Sequence, residues 1–170
     1  MANTYTLIAS STVGSGGAAN IDFTSIPATY TDLCLVASLR PVSGGFDGCY
    51  IYLNNDQTST RYTSRVLRGN GGSVISFVGA DTTKTYAGEI TDNTASTFNN
   101  LQIYIPNYAG SSQKSFSVDS VGENNATTAY QVFTAGLYNQ TTAITQVSLR
   151  IASVNIAQHS IAYLYGIKNS

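Results

Sequence analysis

Three features of this sequence predict an all-β fold built as an antiparallel sandwich or barrel. Apolar and polar residues alternate one by one in run after run, so each run offers one apolar set to a core, as a pleated strand does. The runs are separated by clusters of Gly, Asn, Ser and Pro that favour turns. No stretch carries a sustained apolar stripe at helical spacing with caps at its ends. Short strands at this spacing fold into two antiparallel layers or a closed barrel.

In chain order, residues 4–10 and 20–23 are strand candidates on either side of the Gly/Ser-rich stretch 10–19, which contains Gly14-Ser15-Gly16-Gly17. That stretch is either a hairpin loop or a hinge for an arm formed by residues 1–9. Pro27 fixes its own φ and biases Ile26 to extended backbone, so residues 26–30 read as a corner feeding a strand that starts at Asp32. There Leu33, Leu35, Ala37 and Leu39 alternate with Cys34, Val36, Ser38 and Arg40. Candidates 49–53, 62–67, 74–78 and 85–90 follow, punctuated by Ser43-Gly44-Gly45 and Gly69-Asn70-Gly71-Gly72. Leu101, Ile103 and Ile105 then alternate with Gln102 and Tyr104, and Phe116 and Val118 with Ser115, Ser117 and Asp119. After 130–137, Val147, Leu149 and Ile151 alternate with Gln146, Ser148 and Arg150, and 160–167 closes the series. Gly166 inside this last candidate marks a bulge or a close backbone approach. Helix is expected only as single turns, at 28–31 and 141–144.

The chain has 170 residues, enough for one domain that folds without staples, and a net charge of −1 with 10% charged side chains. Nucleic-acid phosphate and anionic membranes are therefore not expected partners; Arg61, Arg65 and Arg68 are too few for a basic patch. No basic-then-apolar leader and no apolar run of membrane-spanning length occurs, so the chain is expected to be kept in solution. Weak colloidal repulsion favours assemblies, and 12 tyrosines in a charge-poor chain suit buried interfaces as well as strands.

Cys34 and Cys49 would sit about 20 Å apart along the ladder if 32–40 and 49–53 formed one hairpin, too far for a bridge. Two reduced thiols are expected unless the two strands lie in different sheets and face each other.

Residues that do chemistry are sparse, and no catalytic, cofactor or metal site is assigned. His159 is the sole histidine and no Gly-x-Ser-x-Gly elbow accompanies it, so it reads as a loop residue. Asp119 and Glu123 are the nearest approach to a glycosidase pair but lack apolar shielding. Asn54-Asn55-Asp56 and Glu123-Asn124-Asn125 offer oxygen ligands without the acid spacing of a calcium loop. Tyr50 and Tyr52 share one strand face, and Tyr163 and Tyr165 another; such pairs stack on sugars or, more simply, fill a core or a subunit contact. The chain reads as a scaffold or binder rather than an enzyme.

Tyr5-Thr6-Leu7-Ile8-Ala9, then Ile26-Pro27-Ala28-Thr29-Tyr30-Thr31-Asp32-Leu33, then Ala135-Gly136-Leu137-Tyr138 with the stretch from Thr142 to Leu149, and finally Tyr163-Leu164-Tyr165-Gly166-Ile167-Lys168 occur in this order in short virion proteins of tailed bacteriophages. The chain resembles that family along nearly its whole length. The resemblance implies a jelly-roll-like β-sandwich that often assembles as a trimer. One such domain of about 8–10 strands is expected over residues 1–170, with 1–17 readable as an N-terminal arm and Gly-rich loop or as part of a hairpin. It also implies a virion structural protein, found either as head decoration (cement) protein or in tails and fibres. With no coiled-coil stalk or repetitive shaft within these residues, decoration of the capsid surface, assembled in the host cytoplasm, is the expected role. The expected partners are the major capsid protein and further copies of the chain. Tyr5, Leu7, Ile8, Tyr50, Tyr52, Tyr163 and Tyr165 are the candidate interaction residues. The alternative is a tail fibre or receptor-binding domain that recognises host surface glycan.

Overall fold

The structure, a computed structural model, describes residues 4–43, 46–79, 81–91, 95–123 and 127–168. Among them are twelve strands and no helix: β1 (Tyr5–Thr12), β2 (Asn20–Phe23), β3 (Asp32–Leu39), β4 (Phe46–Leu53), β5 (Tyr62–Gly69), β6 (Val74–Val78), β7 (Thr85–Thr91), β8 (Asn99–Ile105), β9 (Lys114–Glu123), β10 (Ala129–Tyr138), β11 (Val147–Ile151) and β12 (Ile161–Ile167). They form a jelly-roll-like sandwich of two antiparallel sheets. One sheet has eight strands in the order β1-β12-β3-β8-β9-β10-β5-β6, the other four in the order β2-β11-β4-β7.

The alternation predicted from sequence is the alternation observed. In β3, Leu33, Leu35, Ala37 and Leu39 point into the core and are buried. They meet Leu101, Ile103 and Ile105 of β8 on one side, and Ile51 and Leu53 of β4 with Val147 and Leu149 of β11 across the layer. Each such aliphatic side chain contributes roughly 1.5–3 kcal/mol on leaving water. The twelve strands among the described residues exceed the expected 8–10, eight lying in one sheet and four in the other.

Three local expectations are corrected. First, β3 and β4 do not pair; they lie in different sheets, β3 between β12 and β8, β4 between β11 and β7. Cys49 points into the core while Cys34 points out of the far side of the other sheet, so their strand faces are turned away from each other and both thiols are free. Burial pushes the Cys49 thiol up to about 12.

Second, 28–31 is a turn and 141–144 an irregular segment with one bend, and neither is a helical turn, because tertiary bonds take their backbone groups. Tyr108 is the common anchor. Its hydroxyl donates to the Pro27 carbonyl, its own carbonyl accepts Ile144 N–H at 2.9 Å, and Thr31 N–H reaches Ile167 O at 2.8 Å.

Third, the first strand is not a free arm. From Tyr5 to Thr12 it pairs with β12, as an edge of the eight-stranded sheet. The loop after it is pinned by the Ala18–Ile156 bridge.

Strand β7 crosses β9 and β10 closely. Gly88, at φ +143°, makes that possible: a Cβ there would collide with the Ser120 side chain. Lys114 is wholly buried at the other end of β9, its ammonium donating to the Gly110 and Ser112 carbonyls.

Candidate interaction surface

Because side chains alternate across a strand, burying the odd residues of β3 turns Cys34, Val36 and Ser38 to the opposite side. The same parity runs across the whole eight-stranded sheet. Following the ladder, one outward row reads Leu7, Tyr165, Cys34, Tyr104, Ser117, Ala135, Arg65, Val78. The next reads Ser10, Tyr163, Val36, Gln102, Asp119, Phe133, Leu67, Ser76. Among the described residues no strand or helix packs over this face.

Its chemistry is banded. At the β1 edge lies an aromatic patch: Tyr5 and Leu7, each about half exposed, with Tyr163, Tyr165, Val36 and Tyr104. Tyr165 meets Tyr5 edge-on at 6.3 Å between ring centroids and Tyr163 at 6.4 Å. Tyr165 and Tyr104 flank Cys34 across the ladder, the Gln102 amide lies 3.9 Å from its Sγ, and desolvation of the buried thiol raises its pKa. Tyr104 donates to Asp32 Oδ2 at 2.6 Å, and this bond is the first cause that lifts its phenol to about 12. The centre, Ser115, Ser117, Asp119 and Gln102, is polar. Toward the β6 edge the face turns apolar again, where Leu67 and Phe133 stand opposite each other beside Val74 and Val78. A groove of about 510 Å³ is lined here by Leu67, Phe77, Val78, Phe133, Ser117 and Ala135 among others.

The predicted interaction residues therefore divide. Tyr5, Leu7, Tyr163 and Tyr165 come together on the large sheet. Ile8 does not join them: as the strand neighbour of Leu7 it faces the opposite side and packs against the core, and the bulge between Leu7 and Ala9 turns Ala9 inward as well. Tyr50 and Tyr52 share a face, but of the small sheet on the opposite side of the molecule. There Lys84 sits over Tyr50 at 4.5 Å and Arg150 over Tyr52 at 4.4 Å, so each ring already carries a cation of its own chain. Leu67, Val74, Val78 and Phe133 were missed. Their signal was in the sequence: Val74-Ile75-Ser76-Phe77-Val78 has only one polar residue where a half-exposed strand should alternate.

His159 is exposed at φ +70°, and its N–H bonds Val13 O. Asp119 and Glu123 both lie on β9, Asp119 outward and Glu123 accepting from Thr97. Asn54 holds a loop together, accepting Thr145 N–H at 2.8 Å and donating to Ala143 O at 2.9 Å. Asn124 and Asn125 lie outside the described residues. No group of three potential metal ligands occurs among the described residues.

No protein-family model matches this chain. No curated protein matches it. Among solved structures it is similar to the carbohydrate binding module CBM66 from Bacillus subtilis, at 8% identity and a TM-score of 0.26 over 97% of this chain and 94% of the other.

Proposed function

We propose that this chain is a structural protein of a tailed-bacteriophage virion, a head decoration (cement) protein that binds the capsid exterior as a homo-oligomer and stabilises it. The observation that carries the reading is the uncovered outer face of the eight-stranded sheet, where Tyr5, Leu7, Val36, Tyr163 and Tyr165 form an aromatic patch in a chain of 10% charged residues. An exposed apolar patch rimmed by polar groups is the signature of a docking surface. The order of motifs shared with phage virion proteins adds support. In this mechanism the β1 end of the sheet lies on the shell, and many modest contacts, repeated over a symmetric lattice, act together.

The test is to add the purified chain to shells that lack it and record both an image of the particle and its rupture temperature. The reading expects density at regular shell positions, a higher rupture temperature, and loss of both with Leu7→Lys, whose side chain is half exposed and leaves the core untouched. Failure to bind shells overturns it. Density at tail or fibre tips instead favours the alternative, recognition of host glycan.

A further inference from the structure

We propose that β6 is the pairing edge of a two-fold dimer, in which the eight-stranded sheets of two copies join antiparallel about Ser76. The inference does not depend on the virion reading. It begins from the backbone. Strand β6 ends the sheet order, pairs with β5 alone among the described residues, and all five of its residues are exposed.

Which of its backbone groups are free follows from alternation. Gly79 N–H donates to Ser64 O and Asn70 N–H to Ser73 O, each at 3.2 Å, in the same register that pairs β5 with β6. The odd-numbered residues of β6 therefore direct their N–H and C=O groups at β5, and Val74, Ser76 and Val78 direct theirs away from the sheet.

Around Ser76 the strand reads Val, Ile, Ser, Phe, Val, with a valine at each end and a large apolar residue on each side of the serine. Laid antiparallel on a second copy with Ser76 opposite the partner's Ser76, Val74 stands opposite the partner's Val78 and Ile75 opposite the partner's Phe77. In that register every outward N–H and C=O of Val74, Ser76 and Val78 finds a partner. A slip of two residues leaves some unpaired.

Side chains agree on both faces. On the outer face the Val–Val pairs join the Leu67 and Phe133 patches of the two copies into one. On the inner side Ile75 meets the partner's Phe77, whose ring packs at 6.0 Å on Tyr86 of its own chain. Arg65, opposite Val78, would next meet the partner's Val74 and Gly69, so no like charges are opposed.

A second copy is the occupant because the strand is its own complement, as an isologous interface requires, and carries no charge that would select a charged partner. It also lacks the Lys, Pro or bulge that natural edges use to prevent pairing. The opposite edge, β1, has such a bulge.

The experiment uses the isolated full chain. Sedimentation at micromolar concentration is expected to give twice the 18.0 kDa chain mass. Ser76→Pro deletes the N–H at the dyad without touching the β5 ladder; it should raise the dissociation constant roughly 10- to 100-fold with the monomer fold and its melting intact. Ser76→Cys should cross-link on oxidation, since paired Cα atoms sit about 5.5 Å apart. Val78→Cys should not, because the two copies of residue 78 are about 13 Å apart in this register. A monomer, a trimer indifferent to Ser76→Pro, or cross-linking no stronger from Ser76→Cys than from Val78→Cys overturns the dimer. None of these results depends on whether the chain binds shells.

Discussion

The ring of Tyr30 lies directly over Gly166 in β12, filling the space that a Cβ at that position would occupy. The atoms in the way are Cγ and the two Cδ atoms, the base of the ring, which move only if the backbone at Tyr30 moves. Gly166→Ala is expected to destabilise the fold by about 1–3 kcal/mol, the usual penalty of overpacking a dense core. Urea unfolding measures it; an unchanged midpoint would mean that Tyr30 is free to swing aside.

Arg68 on β5 pairs with Glu89 on β7, joining the two sheets where the carboxylate is buried and the guanidinium partly exposed. Arg68→Met strands that carboxylate in the interior. The expected loss is roughly 2–3 kcal/mol, below the ~3–5 of a fully enclosed pair because part of Arg68 stays in water. Adding Glu89→Gln should return much of it. A double-mutant cycle with zero coupling would refute the account.

Stability should decline in alkali. Tyr104, beside the Asp32 carboxylate, keeps its proton to about 12 in the folded chain against the ordinary 10.0. Between those values the native state binds more protons than the unfolded one, so the contribution is whole below pH 10 and is lost as the pH rises toward 12. Burial moves Tyr62, Tyr86 and Tyr138 in the same direction. Tyr104→Phe should lower the midpoint at pH 7, where the hydrogen bond to Asp32 is intact, and flatten its fall between pH 10 and 12. An identical slope in the variant would show that this hydrogen bond is not what holds the phenol protonated.

Local pattern was a good guide to which residues face which way, and a poor one to what lies beside what. Leu33 to Leu39 could be read as a strand from its own alternation, yet its neighbours β12 and β8 lie far away in sequence, and the obvious nearby partner, 49–53, belongs to the other sheet. Ile8 cannot share a face with Leu7 because adjacent strand residues point to opposite sides, and the bulge sends Ala9 inward beside it. Tyr50 and Tyr163 look alike as strand tyrosines; the fold puts them on opposite outer faces, one under Lys84 and the other open beside Tyr165.

Composition and period-two alternation, taken alone, determined an all-β chain with an aliphatic core, few charges and many tyrosines. These are consequences of side-chain size, hydropathy and pleat geometry, which each residue carries with it. The tertiary structure decided which strands are neighbours, that eight of them form one sheet and four the other, and hence that, among the described residues, one broad face and the β6 edge stand uncovered. That decision belongs to no single segment. It follows from how two layers of unequal width bury the most apolar surface together, and such a sum is settled only when the whole chain has folded.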